Sequence, residues 1–260
     1  MKIYRIEDHE GRTLHAQQRG DDFLRIEGDI LGECRVTDER VSPRRILPPV
    51  QPPFIFAIGL NYKAHAVETH KPLPEAPVVF AKSPTAVIGA QDTIVLPACG
   101  PACVDYEVEL AVVIGRRCRN VKAADAARCI LGYTAANDVS ARDWQQKLIQ
   151  WVRAKSFDTF CPLGPCIETE IEPGDLRLTS RLNGQIMQDS RTSDLIFNVP
   201  YLVEFLSADL TLLPGTVILT GTPAGVGVAR SPQVFLRPGD RIVCEVEGIG
   251  QLDNPVAAAG

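Results

Sequence analysis

The sequence predicts a mixed α+β fold that is mainly β. Strand-like apolar segments outnumber helical ones, and the two kinds of element do not alternate regularly along the chain. A doubly wound parallel sheet requires regular alternation, so that fold is disfavoured. The third observation is the stretch 105–115, in which acidic and apolar residues alternate before an apolar run ends at Gly115. Such alternation is typical of a half-buried strand.

The composition indicates a globular protein without a nucleic-acid or membrane partner. The chain has 260 residues, 45% of them hydrophobic, which allows one large domain or a large domain and a small one. The net charge is −5, and no basic cluster exceeds Arg116 and Arg117 with Arg119. No apolar run approaches the roughly 20 residues of a membrane span. The charged N-terminus lacks a signal-peptide pattern, so we expect a cytoplasmic protein.

The spacing of the cysteines indicates free thiols and not a metal site. Eight cysteines are present, but the pairs Cys99/Cys103 and Cys161/Cys166 do not have the Cys-x-x-Cys spacing of zinc sites, and the four histidines lie far upstream of both pairs. We therefore expect reduced, mostly buried thiols.

The pattern of residues 1–50 predicts a small β-rich segment. Short strand patterns at 2–6, 13–16 and 23–26 are separated by glycines. Four prolines within residues 48–53 then predict an extended connector, since proline neither continues a helix nor joins a central strand. We place the domain boundary there, with the main domain at 54–257.

The main domain is predicted to contain further strands and a few short helices. Its strand patterns lie at 54–59, 78–82, 93–96, 105–115, 130–136, 176–182, 216–219 and 241–246. Its helical patterns lie at 61–68, 121–129, 140–151 and 199–206. The proline-rich stretch 70–77 predicts a loop that can close over a site.

Acidic residues on one strand suggest a metal site. Asp105, Glu107 and Glu109 alternate, so a continuous strand places them on one face, where they repel each other. A hard divalent cation would relieve that repulsion, although a solvated outer face is the alternative. Asp138 follows the predicted strand 130–136 and is a candidate third ligand with Glu107 and Glu109. A carboxylate-only set favours Mg²⁺, Mn²⁺ or Ca²⁺ over zinc or copper.

Three further features are candidates for catalysis or substrate binding. His65 and Glu68 lie one turn apart on a predicted helix that Asn61 can cap. They can be a general base with its orienting carboxylate, or simply an exposed pair on the helix surface. Lys155 can stabilise an oxyanion or be an ordinary surface lysine. The glycine-rich stretch 220–227 lacks the lysine of a phosphate-binding loop. Its amides and Thr222 can hold a carboxylate, or it can be a simple turn.

Taken together, these motifs resemble the fumarylacetoacetate hydrolase family over residues 54–257. The motifs that carry the resemblance are Gly59-Leu60-Asn61-Tyr62 with His65 and Glu68; Asp105-Tyr106-Glu107-Val108-Glu109-Leu110; Asn137-Asp138-Val139-Ser140-Ala141-Arg142-Asp143; Lys155-Ser156-Phe157-Asp158-Thr159; and Thr220-Gly221-Thr222-Pro223. One departure is Leu60, which stands where an arginine is expected in the acylpyruvase-like branch.

The resemblance implies a distorted mixed β-roll or barrel domain in a homodimer, with Mg²⁺ or Mn²⁺ as cofactor and Ca²⁺ possible in crystals. It implies that Glu107, Glu109 and Asp138 bind the metal ion. His65 and Glu68 would form a water-activating dyad on a lid, and Lys155 would assist an enolate leaving group. The residues implied to contact substrate are Asn61, Tyr62, Arg142, Gln145 and Thr222.

The activity implied by the resemblance is carbon–carbon bond hydrolysis in a 2,4-dioxo acid of the acylpyruvate or fumarylpyruvate type, in aromatic or organic-acid catabolism. Alternatives on the same site are isomerisation of a 2-oxo-ene-dioate, as in a homoprotocatechuate-type pathway, and decarboxylation of oxaloacetate. His65 and Glu68 together favour hydrolysis. A binding module without catalysis is the third hypothesis, and the intact set of acidic and basic residues argues against it.

Overall fold

The computed structural model describes residues 1–99 and 102–260. Strands hold 43% of the residues and helices 17%, which confirms the predicted α+β, mainly β class. The strands form sheets of twelve, five and two strands, with mixed parallel and antiparallel pairing in the two larger ones. Within the described ranges none of these sheets closes into a barrel, so the domain consists of open sheets packed together.

The N-terminal strands extend the largest sheet. They are β1 (Lys2–Asp8), β2 (Thr13–Arg19), β3 (Asp22–Gly28), β4 (Cys34–Val41) and β5 (Pro43–Leu47). Strands β1 to β4 form an antiparallel meander, and β5 also pairs with β1. On its other side β1 pairs with a strand of the second half of the chain, with Lys2 opposite Glu168. Tyr4, Ile6 and Ala16 consequently belong to the main hydrophobic core.

The rest of the large sheet supplies most of the site. Its strands are β6 (Ile55–Gly59), β7 (Val78–Lys82), β8 (Val87–Ile88), β11 (Val108–Ile114), β12 (Ile130–Asn137), β14 (Cys161–Glu168) and β17 (Val217–Leu219). Every residue of β11 is buried, which explains the apolar run at 110–114. Strand β11 lies between β12 and β17, and β17 pairs in parallel with β6.

A second sheet covers the large one. It contains β9 (Ile94–Leu96), β15 (Arg177–Leu182), β16 (Gln185–Arg191), β18 (Arg241–Val246) and β19 (Gly250–Ala258), in the order β16-β15-β18-β19-β9. Leu178, Ile242 and Leu252 from this sheet share one core with Val108 and Leu110 from β11. The short strands β10 (Val104–Asp105) and β13 (Ser140–Ala141) form the remaining pair. Five of the eight cysteines are buried thiols, as expected.

Four short helices complete the fold. They are α1 (Lys63–Glu68), α2 (Arg142–Lys147), α3 (Val152–Lys155) and α4 (Val199–Ser207). Turns of 3-10 helix lie at Pro84–Ala86, Ala123–Cys129, Pro173–Asp175, Thr192–Asp194 and Gly227–Ala229. None of the helices in the described part of the chain has the length and apolar character needed to cross a bilayer.

Two helix predictions need correction. The predicted helix 121–129 is a 3-10 helix. The predicted helix 140–151 is instead strand β13, helix α2 and a non-helical segment at 148–151 that precedes α3, because Ala141 pairs with Val104 and Leu148 has extended backbone angles. Helix α1 begins after Tyr62 and not after Asn61, so Asn61 is not its N-cap.

Candidate metal centre and active site

Three buried carboxylates meet at one end of the large sheet. Glu107, Glu109 and Asp138 each place a carboxylate oxygen within 4.8 Å of the others. They meet because β11 and β12 are antiparallel, with Val108 opposite Asn137, so the start of one strand adjoins the end of the other. Glu107 and Glu109 are 5% and 1% exposed. The alternative of a solvated outer face is therefore wrong for these two residues.

Asp105 does not belong to this group. The predicted continuous strand 105–115 is interrupted at Tyr106 and Glu107, between β10 and β11. Asp105 instead accepts hydrogen bonds from Arg142 Nε at 2.9 Å and from the amides of Gly227 and Val228 at 2.8 and 3.0 Å. These bonds hold the carboxylate of Asp105 against the 3-10 turn Gly227–Ala229, where it positions Arg142.

Two cations neutralise Glu107. Lys155 Nζ lies 2.6 Å from both Glu107 Oε2 and Asp138 Oδ2, and Arg142 Nη2 lies 2.5 Å from Glu107 Oε1. Burial alone would raise the pKa of Glu107, but the charges of Arg142 and Lys155 hold it well below its ordinary value. Burial would also lower the pKa of Lys155, and Asp138 and Glu107 reverse that effect and raise it. Lys155 is therefore a buried ammonium group.

Glu109 is the carboxylate whose charge is least compensated. Among the described residues it accepts one hydrogen bond, from the Gly221 amide at 2.7 Å, and it has no cation within ion-pair distance. Burial raises the pKa of Glu109 well above its ordinary value, and the neighbouring charges of Asp138 and Glu107 raise it further. A hard divalent cation would relieve this repulsion, so the chemistry of the three carboxylates fits a metal ion.

Lys82 belongs to this cluster of charged residues, although the sequence pattern did not predict it. Its side chain is fully buried, with Nζ 2.6 Å from Asp138 Oδ1 and 3.3 Å from the carbonyl oxygen of Val139, and it also donates to the carbonyl oxygen of Lys155. Lys82 thus positions both Asp138 and Lys155. The only local signal was a lysine at the end of the apolar stretch 78–82, which does not reveal a partner elsewhere in the chain.

His65 and Glu68 form the expected pair on helix α1. His65 Nδ1 lies 2.6 Å from Glu68 Oε1, and the other oxygen of Glu68 accepts a hydrogen bond from the Gly225 amide at 2.9 Å. A carboxylate only accepts, so Nδ1 is the donor in this contact, and Nε2 is the ring nitrogen left for proton exchange. At the start of α1 the Ala64 amide donates to Asp194 Oδ2 at 3.0 Å. The dyad is therefore oriented from both ends of the helix.

A cavity of about 360 Å³ adjoins these groups, although Asp138 and Glu68 themselves do not line it. The predicted site residues that line it are His65, Glu107, Glu109, Arg142, Gln145, Lys155 and Thr222. Leu60, Phe80 and Trp151 add apolar walls, and Lys71 adds a cation. Gln145 accepts a hydrogen bond from Arg142 Nη1 at 3.0 Å. The Thr222 hydroxyl donates to the carbonyl of Val108 and accepts from Gln188, which ties the glycine-rich stretch to β11.

Asn61 and Tyr62 lie outside this lining. Asn61 is fully buried, and its amide group bonds to the backbone of Phe197 and Thr220. Tyr62 is also fully buried, and burial near Glu109 raises the pKa of its hydroxyl. The geometry gives both residues an interior role. Their contact with substrate stays a prediction.

Comparison with known proteins identifies the family. Residues 54–257 match the family model described as fumarylacetoacetate (FAA) hydrolase C-terminal. Oxaloacetate tautomerase FAHD2A, mitochondrial, of Bos taurus is 45% identical over 216 residues, which cover 81% of this chain and 68% of that protein.

Solved structures agree over the full length. The 5-carboxymethyl-2-hydroxymuconate delta-isomerase of Mycobacterium smegmatis is 45% identical with a TM-score of 0.90, and each chain is covered by 100%. The 2-hydroxyhepta-2,4-diene-1,7-dioate isomerase of Mycobacterium marinum is 41% identical with a TM-score of 0.88, covering 100% of this chain and 99% of that one. The chain therefore belongs to the fumarylacetoacetate hydrolase family.

Proposed function

We propose that this protein is a divalent-metal-dependent enzyme that interconverts the enol and keto forms of a 2-oxo acid. The observation that carries the proposal is the cavity lined by Glu107, Glu109, Lys155 and His65. Asp138 and Glu68 do not line it, but Asp138 completes the carboxylate cluster and Glu68 contacts His65. The relatives named as isomerases and as a tautomerase support it, since those reactions rearrange a molecule without cleaving its carbon skeleton.

The residues supply the electrostatic part of this chemistry. Mg²⁺ or Mn²⁺ held by Glu107, Glu109 and Asp138 would act as a Lewis acid toward the carboxylate and 2-oxygen of the substrate. Lys155 adds a buried positive charge beside the same carboxylates, where it opposes the negative charge of an enolate. Arg142 and Gln145 present hydrogen-bond donors along the adjoining wall.

The dyad supplies the proton transfer. In ketonisation the enol oxygen loses one proton to solvent and carbon 3 gains one, so the reaction consumes no co-reactant. His65 can take up a proton from solvent at Nε2 and deliver it to carbon 3, which returns the ring to the form protonated at Nδ1 alone, while Glu68 stabilises the doubly protonated ring through Nδ1. In the reverse direction Nε2 removes that proton. The bond from the Gly225 amide keeps Glu68 in place during both steps.

Hydrolysis of a 2,4-dioxo acid is the second candidate. The short contact between His65 and Glu68 supports it, because a histidine oriented in this way can also remove a proton from water. Hydroxide from that water would add to the distal carbonyl carbon. The bond between carbons 3 and 4 would then break, and the electron pair would pass to the enolate of the departing 2-oxo acid.

One experiment tests both candidates. The enol ultraviolet band of a panel of 2-oxo and 2,4-dioxo acids is followed with purified protein and Mg²⁺, then with a chelator, and the products are identified by NMR. Metal-dependent decay of the band with an intact carbon skeleton is the expected result. Decay with release of pyruvate supports the hydrolase instead, and no acceleration for any member of the panel contradicts both. The exposed-lysine variant Lys63→Met is the control.

One remaining expectation forms part of the proposal. A homodimer is expected from the family resemblance, and light scattering on the purified protein measures it.

A further inference from the structure

We infer that Lys71 binds the distal carboxylate of the substrate, so that the cavity selects 2-oxo dicarboxylic acids over 2-oxo monocarboxylic acids. The inference rests on the proposed function for one point, the orientation of the substrate. With its 2-oxo carboxylate end toward Glu107 and Glu109, the other end of the substrate extends toward the outer part of the cavity, where Lys71 lies exposed.

The charges of the cavity lining single out Lys71. His65, Arg142 and Lys155 each contact a carboxylate of the protein. Lys71 forms no ion pair with any residue of 1–99 or 102–260, so its ammonium group is available to an acidic ligand. A distal carboxylate would otherwise meet uncharged amides or the apolar ring of Trp151, and burying it there without a partner would be unfavourable.

The backbone at the end of helix α1 holds Lys71 in place. The Lys71 amide donates to the carbonyl of Ala66 at 3.0 Å, and the His70 amide donates to that of Val67 at 3.1 Å. His70 has a φ of 55°, in the left-handed region. This is the Schellman arrangement, which reverses the chain direction at a helix end. Lys71 is thereby attached to the helix that carries the catalytic dyad.

The arrangement distinguishes Lys71 from an ordinary surface lysine. Lys63 lies at the start of the same helix and is also exposed, but it does not line the cavity. A general attraction of anions to α1 would depend on both lysines. Recognition of one carboxylate inside the cavity depends on Lys71 alone.

The test compares two ligands that differ only at the distal end. Binding of 2-oxoglutarate, a diacid, and 2-oxopentanoate, which has a methyl group in place of the distal carboxylate, is measured by calorimetry on Mg²⁺-loaded protein. We expect the wild type to bind the diacid about tenfold more tightly, as one charge-assisted hydrogen bond allows. Lys71→Met should abolish that preference without changing the affinity for the monoacid. Lys71→Arg should keep most of it, and Lys63→Met should keep all of it.

Several outcomes overturn the inference: binding of neither acid, equal affinities in the wild type, an unchanged preference in Lys71→Met, or a parallel loss of affinity for both acids. The binding readout separates this inference from the proposed function. If the protein accelerates no enol–keto conversion but Lys71→Met still removes the diacid preference, the proposed reaction is wrong and the role of Lys71 stands.

Discussion

Replacing Lys82 by methionine tests the electrostatic construction of the site. The substitution keeps an unbranched side chain of similar length and removes the ammonium group that lies 2.6 Å from Asp138 Oδ1. That oxygen and the carbonyl oxygen of Lys155 would then lose a buried donor. We expect a lower free energy of unfolding and weaker positioning of both residues.

The expected magnitude follows from the contacts of Asp138. Removing one partner of a buried ion pair costs about 3–5 kcal/mol, because an uncompensated charge stays behind. Asp138 keeps Lys155 at 2.6 Å on its other oxygen, so part of the compensation survives. We therefore expect the lower end of that range, about 3 kcal/mol for Lys82→Met.

Urea unfolding in the presence of a chelator measures this value, with Lys63→Met as the surface control. A double-mutant cycle with Asp138→Asn isolates the interaction, since the effects of interacting residues are not additive. Lys82→Met should lower the free energy of unfolding much less in the Asp138→Asn background than in the wild type. A cost below about 1 kcal/mol in the wild type, or additive effects in the cycle, would refute the reasoning.

Three further predictions concern the same region. Glu107→Gln should weaken Mg²⁺ binding at least about tenfold in calorimetry, and wild-type affinity in a folded variant would contradict its role as a ligand. Burial beside Asp138 and Glu107 raises the pKa of Glu109 above the unfolded value of 4.5, so its contribution to stability is lost as pH rises through the folded pKa. Urea unfolding of metal-free protein from about pH 5 to about pH 8 should show this loss relative to Glu109→Gln, and identical profiles would contradict it. Asp194→Ala removes the acceptor for the first turn of α1 and should destabilise that helix by about 1 kcal/mol. Faster hydrogen exchange of the amides in α1 would report this loss. Unchanged exchange would show that α1 does not depend on Asp194.

The parts of the site that follow from local pattern could be predicted from the sequence. Glu107 and Glu109 lie two residues apart and therefore point the same way, and Asp138 follows the next strand along the chain. The interruption after Asp105 could not be predicted, because it depends on amides such as Gly227, which is 122 residues away in sequence. Lys82 was missed for the same reason, since its partner Asp138 is 56 residues away.

Helix boundaries near the site were also hard to predict. The residues 140–151 carry polar side chains at helical spacing. However, Ala141 pairs with Val104 in a short sheet, so the first two residues of this stretch form a strand and not a helix. This pairing is a tertiary interaction, and it overrides local preference. The fold class could be predicted nonetheless, because it depends on the number of strand patterns and not on their exact ends.

The distances along the chain between contacting site groups bear on how the protein folds. Glu109 receives its hydrogen bond from Gly221, 112 residues later, and Glu68 receives one from Gly225, 157 residues later. Contacts between such distant segments form slowly, since long loops must close before any stabilising interaction is gained. During refolding, far-ultraviolet dichroism should recover before Mg²⁺ affinity does. A chain synthesised only as far as Gly221 would contain most strands of the large sheet but would still lack the Gly225 amide that holds Glu68.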